Sequence, residues 1–82
     1  MKIKIKEIGV GLHPSEKVVE VSTSEGAARL VVDVSSISNN QLDVGFPLAQ
    51  KGGNSLVELP REAFNGSWRV WVSNSDLVED AA

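Results

Sequence analysis

Residues 41–60, QLDVGFPLAQKGGNSLVELP, decide the fold class. Ahead of the two glycines the chain alternates, with Leu42, Val44, Phe46 and Leu48 in one phase. Behind them it alternates again, with Val57 and Leu59 as the inward pair. A two-residue turn at Gly52-Gly53 sets Leu48 opposite Val57 and Phe46 opposite Leu59, apolar against apolar. Glycine accepts positive φ at both central positions of the turns that match strand twist. The stretch therefore reads as a β-hairpin. Pro47 cannot donate to a ladder, so its strand is an edge there or is interrupted.

The same alternation extends outward in both directions. Residues 2–10 form a strand candidate in which Ile3 and Ile5 share a face while Ile8 and Val10 fall out of phase. A bulge near Lys6–Glu7 repairs the slip. Residues 17–23 point Val19, Val21 and Thr23 inward, and residues 27–36 point Ala28, Leu30, Val32 and Val34 inward. A turn at Glu25-Gly26 pairs Val21 with Leu30 and Val19 with Val32; a longer loop with a bulge at Gly26 is the rival. Asn39 and Asn40 tolerate left-handed backbone and suit a tight turn, read here as a loop over residues 38–40.

Residues 60–64 read as one short helical turn, with Pro60 at its first position. Residues 67–73 form the last strand, with Trp68, Val70 and Val72 inward and Arg69 and Trp71 outward. The reading is an all-β fold: a small six-stranded antiparallel meander closing into a sandwich or partly open barrel. It forms a single domain over residues 1–75, followed by an acidic, flexible tail over residues 76–82. No internal repeat, linker or low-complexity tract is evident.

Composition narrows the function classes. A chain of 82 residues is one domain with a modest core. It has no cysteine, which excludes disulfides, thiolate metal sites and a cysteine nucleophile. The net charge of −3, from eight basic and eleven acidic side chains, argues against general nucleic-acid binding. The N-terminus MKIKIKEIGVG alternates charge with isoleucine and resembles neither a secretory signal nor a membrane span. A soluble cytoplasmic protein of bacterial type is expected.

No motif for catalysis, metal binding or a cofactor stands out. His13 has Ser15 and Glu16 close in sequence, yet His-Pro-Ser-Glu is ordinary turn composition. Asp33 and Asp43, both outward on neighbouring strands, read as solvated sheet face rather than an acid pair. Gly52-Gly53 lacks the lysine and the helix of a phosphate-cradling loop. The expectation is a protein that is not an enzyme and that holds neither a cofactor nor a metal.

What remains is a set of apolar residues in outward phases. Trp71 stands beside Arg69, and Val18, Val31 and Leu56 are outward too. Together they suggest a sheet face covered by a second copy of the chain or by another protein. An exposed tryptophan beside an arginine also suits a sugar ring or other small ligand. The Lys2, Lys4 and Lys6 edge and the acidic Asp76–Asp80 segment are a further candidate pairing.

Overall fold

The computed structural model describes residues 1–78. The fold is all-β. Its strands are β1 (Lys2–Lys4), β2 (Lys6–Val10), β3 (Glu16–Thr23), β4 (Gly26–Asp33), β5 (Ile37–Ser38), β6 (Gln41–Asp43), β7 (Ala49–Lys51), β8 (Asn54–Glu58), β9 (Arg69–Ser73) and β10 (Leu77–Val78). Among the described residues they form three antiparallel sheets, ordered β10-β1-β6-β5, β2-β3-β4 and β7-β8-β9. The six-stranded meander is therefore refined to ten shorter strands: two of the expected strands bend from one sheet into another, and two short strands, β5 and β10, are added.

The first bend is at Ile5, between β1 and β2. The second runs through Gly45–Leu48, where Pro47 breaks the expected continuous strand between β6 and β7. Gly52 and Gly53 adopt φ of 59° and 82°, and Ala49 pairs with Leu56 in the expected register. The strands part beyond that point. Phe46 is 82% exposed and Leu48 52% exposed, so neither meets the inward residues assigned to it.

Other register details differ for local reasons. Thr23 pairs with Gly26, so Val21 faces Ala28 rather than Leu30, a two-residue shift that preserves the inward phase. Thr23 Oγ1 closes this turn by accepting from the Glu25 N–H, and Gly26 (φ 109°) supplies the left-handed residue. The bulge lies between Glu7 and Gly9, one step beyond the expected position, and leaves Ile8 and Val10 exposed. The loop expected over residues 38–40 is a two-residue turn at Asn39-Asn40, with φ of 52° and 58°. Val34 leaves the strand for a 3-10 turn (Val34–Ser36) and is exposed. Residues 60–64 carry no helical turn, and Trp68 is 51% exposed because it precedes β9. Leu77 and Val78, assigned to the tail, pair with β1; residues 79–82 lie outside the described residues.

All three sheets feed one core, in which Ile3, Val19, Leu30, Leu42, Val57 and Val72 are among the buried residues. Extents of 37 × 32 × 16 Å make the molecule flat, a thickness compatible with sheets packed about 10 Å apart. No helix among the described residues is long and apolar enough to cross a membrane.

The two halves repeat one plan, contrary to the expectation of no internal repeat. β1 bends into β2, which pairs with β3; then come β4, a 3-10 turn and β5. β6 bends into β7, which pairs with β8; then come β9, a 3-10 turn (Asn74–Asp76) and β10. Ile3 and Leu42 face each other across β1 and β6, while Ile3 also pairs with Leu77 and Leu42 with Ile37. The Ile5 N–H donates to the Asn40 carbonyl at 3.0 Å, and its counterpart, the Val44 N–H, donates to the Met1 carbonyl at 2.9 Å. Val18-Val19-Glu20-Val21 corresponds to Leu56-Val57-Glu58-Leu59, and Arg29–Ser38 to Arg69–Val78. The 3-10 turns are entered from Asp33 (φ −66°, ψ 138°) and Ser73 (φ −64°, ψ 139°) in nearly identical backbone. An approximate two-fold axis between β1 and β6 relates the halves.

Candidate functional site

The β3–β4 and β8–β9 hairpins set the four outward apolar residues by simple strand alternation. Val18 stands directly opposite Val31, and Leu56 directly opposite Trp71. They come from two sheets, however. Val18 and Val31 belong to the β2-β3-β4 sheet, Leu56 and Trp71 to the β7-β8-β9 sheet. Each pair extends into a three-strand row: Gly9–Val18–Val31 in the first half, Ala49–Leu56–Trp71 in the second. All four residues are partly buried.

A charged row flanks each apolar row. Arg29 Nε lies 3.1 Å from Glu20 Oε1, and Arg69 Nε lies 3.1 Å from Glu58 Oε2. Arg69 is thus already engaged by a carboxylate across the strand. Exposed pairs of this kind contribute about 0–1 kcal/mol and mainly fix register. Beside Trp71 is a small cleft of about 120 Å³, bordered by Arg69, Asn65, Ser67 and the β3–β4 turn. The Ser24 N–H donates to the Trp71 carbonyl at 2.9 Å, tying that turn to the edge of β9.

The remaining candidates are dispersed. His13 is exposed on its loop, where its carbonyl accepts from the Glu16 N–H at 2.9 Å. The Glu16 carboxylate is taken by Arg61, with Nη1 at 3.0 Å from Oε2, and Arg61 also approaches Asp33 at 3.9 Å. Asp33 and Asp43, expected on neighbouring strands, lie in different sheets because β4 pairs with β3 and β6 with β1 and β5. Lys4, Lys6 and Asp76 border one cleft of about 210 Å³, so part of the expected basic–acidic pairing is brought together. Among the described residues, no group of three or more metal-ligating side chains converges.

One feature escaped the sequence reading. Asp43, Phe46, Leu48, Glu58, Leu59 and Pro60 border an open cleft of about 470 Å³ where the chain between β6 and β7 parts from β8. Gly45 and Pro47 bracketing Phe46 were the available signal, since neither residue favours a continuous central strand.

The fold and site define a small all-β domain of two like halves that differ in what they present to solvent. No protein-family model matches the chain, and no curated protein or solved structure shows a significant match.

Proposed function

We propose that the chain is a small non-enzymatic protein-interaction module, self-associating through the outer face of β7-β8-β9. The internal repeat carries this reading, because the first half serves as a standard for what the framework requires. Gly9, Val18 and Val31 satisfy the outward row there. At the equivalent positions the second half carries Ala49, Leu56 and Trp71, larger at every step. The fold does not need that added apolar surface, whereas a docking face does: aromatic side chains dominate such interfaces. The Val18–Val31 pair is then the baseline of the framework rather than part of the contact. Net charge and the absence of cysteine suit a cytoplasmic setting, with neither nucleic acid nor membrane as partner.

The test gives the two larger residues of the second row the identity of their counterparts in the first. Sedimentation velocity at micromolar concentration is expected to give a dimer for the wild type and a monomer for Leu56→Val/Trp71→Val, with circular dichroism unchanged. A wild-type protein still monomeric at about 0.5 mM, a concentration at which even weak pairs associate, refutes the reading.

The small cleft beside Arg69 and Trp71 supports a second reading, a small-ligand or carbohydrate site. Tryptophan fluorescence against a panel of sugars separates the two readings. A saturable shift that Arg69→Ala abolishes would favour the ligand.

A further inference from the structure

We infer that the open edge of β8 at Glu58 receives an extended peptide of a protein partner, one carrying a lysine or arginine next to an apolar residue. This surface is the edge of the sheet, distinct from the outer face centred on Trp71. Its assignment begins with the first half, where the chain fills the equivalent edge itself. There β2 pairs with β3 through Lys6 opposite Glu20 and Glu7 opposite Val19. In the second half the ladder stops early, since β7 pairs only with Asn54–Leu56. The Leu48 N–H still donates to the Leu56 carbonyl at 2.8 Å, and the chain then departs through Pro47.

Strand alternation fixes where the freed backbone points. The Leu59 N–H donates to the Trp68 carbonyl at 2.7 Å, so Leu59 and Val57 turn their backbone groups toward β9. Leu56 and Glu58 turn theirs the other way. The Glu58 N–H and C=O therefore face the cleft, with no strand partner on that side among the described residues. One added residue pair would satisfy both, the pattern of strand addition at a sheet edge.

The cleft walls specify the occupant's chemistry. Phe46, Leu48 and Pro60 offer exposed apolar surface that the core does not use. At about 470 Å³ the space is more than twice the 210 Å³ of its first-half counterpart. The charge balance shifts between the two: Lys4 and Lys6 offset Glu20 and Asp76 in the first cleft, whereas Lys4 corresponds to Asp43 and Lys6 to Gly45 in the second, whose charged lining is Asp43 and Glu58. Glu20 has Arg29 on one neighbouring strand and Lys6 on the other. Among the described residues, Glu58 has Arg69 alone. The absent neighbour is a cation on an extended strand. The chain's last residues cannot serve, because Glu79 and Asp80 carry the wrong sign.

The probe is a capped peptide, Lys-Ile-Lys-Glu-Ile-Gly-Val, copying residues 4–10, titrated into ¹⁵N-labelled full-length protein. Amide shifts are expected at Val57, Glu58, Leu59, Phe46 and Leu48, saturating with a Kd on the order of hundreds of micromolar for so short a ligand. A peptide with both lysines replaced by glutamate should leave them unmoved. Phe46→Ser, at an exposed site where folding is not at risk, and Glu58→Gln should each weaken binding roughly fivefold or more, about 1 kcal/mol. Trp71→Val should bind the peptide as the wild type does, whatever its oligomeric state. The absence of saturable shifts at about 5 mM peptide, far above the affinity expected, would overturn the inference. Equal response to the glutamate peptide, or shifts confined to Leu56 and Trp71, would overturn it as well. So would self-association abolished by Phe46→Ser without peptide binding, which would assign the cleft to a second copy.

Discussion

Ser55 is the one buried polar residue among the described residues, 0% exposed, and its hydroxyl donates to Asn74 Oδ1 at 2.5 Å. Truncating the two partners should have unequal consequences. Asn74→Ala leaves a buried hydroxyl without its acceptor, and the stranded group costs about 1–3 kcal/mol. Ser55→Ala removes the hydroxyl together with its need for a partner, so the loss should stay below about 1 kcal/mol. The double variant should then be no worse than Ser55→Ala by more than a few tenths of a kcal/mol, because Asn74 has nothing left to accept. Urea unfolding reads these differences directly. A slope of about 1 kcal/mol/M, reasonable for so small a domain, turns 2 kcal/mol into a midpoint shift of about 2 M. The Asn74→Ala variant should also melt roughly 4–8 °C lower for each kcal/mol lost. Equal destabilisation by the two single variants, or simple additivity in the double, would refute the reasoning. Either result would mean that another group accepts from Ser55 once Asn74 is gone.

Two further perturbations bear on the repeat. Asn40→Val should cost about 1–2 kcal/mol, since a β-branched residue is forced to φ near 58°, whereas Asn40→Gly should be neutral or better; thermal melting separates them. Ile3→Ala and Leu42→Ala should each cost about 2–5 kcal/mol, as both are wholly buried at the junction of the halves. Their direct pairing predicts a non-additive double variant, measurable by denaturant titration if the singles remain folded.

How far the sequence could be read depended on the range of the forces involved. Alternation is local, and it correctly turned Val19, Val21, Ala28, Leu30, Val32, Val57, Val70 and Val72 into the core. Turn chemistry is also local, and Gly52-Gly53 and Asn39-Asn40 both announced left-handed pairs. Errors arose where a strand changes sheet. At Ile5 and Gly45–Leu48 the periodic pattern continues although the pairing partner changes, so Phe46 and Leu48 looked inward in sequence and are exposed in space. Ile37 likewise falls between the expected strand and loop, and Leu77 in the expected tail. They reach the core because short strands dock against β6 and β1, contacts with no signature in residues 37–38 or 77–78 alone. The repeat was hidden by unequal connections: a two-residue turn joins β3 to β4, while residues 59–68 join β8 to β9.

That long connection accounts for why the halves do different things. In the first half the hairpin is tight, its edge is filled by β2, and its outward row is small. In the second half residues 59–68 reach across the molecule: Arg61 meets Glu16 and Asp33, and the Phe64 N–H donates to the Arg29 carbonyl at 2.8 Å. The loop thereby covers the outer edge of β4, which would otherwise invite another strand. The tight β3–β4 turn gives β9 one hydrogen bond, from Ser24 to Trp71, and borders the small cleft rather than burying the tryptophan. Shielding is thus asymmetric on a nearly symmetric frame. The half that lends its loop to the other keeps the larger apolar row, the shorter edge ladder and the acidic cleft. Function should concentrate where the two copies diverge, at Leu56, Trp71, Phe46 and Asp43, and spare the positions where they agree.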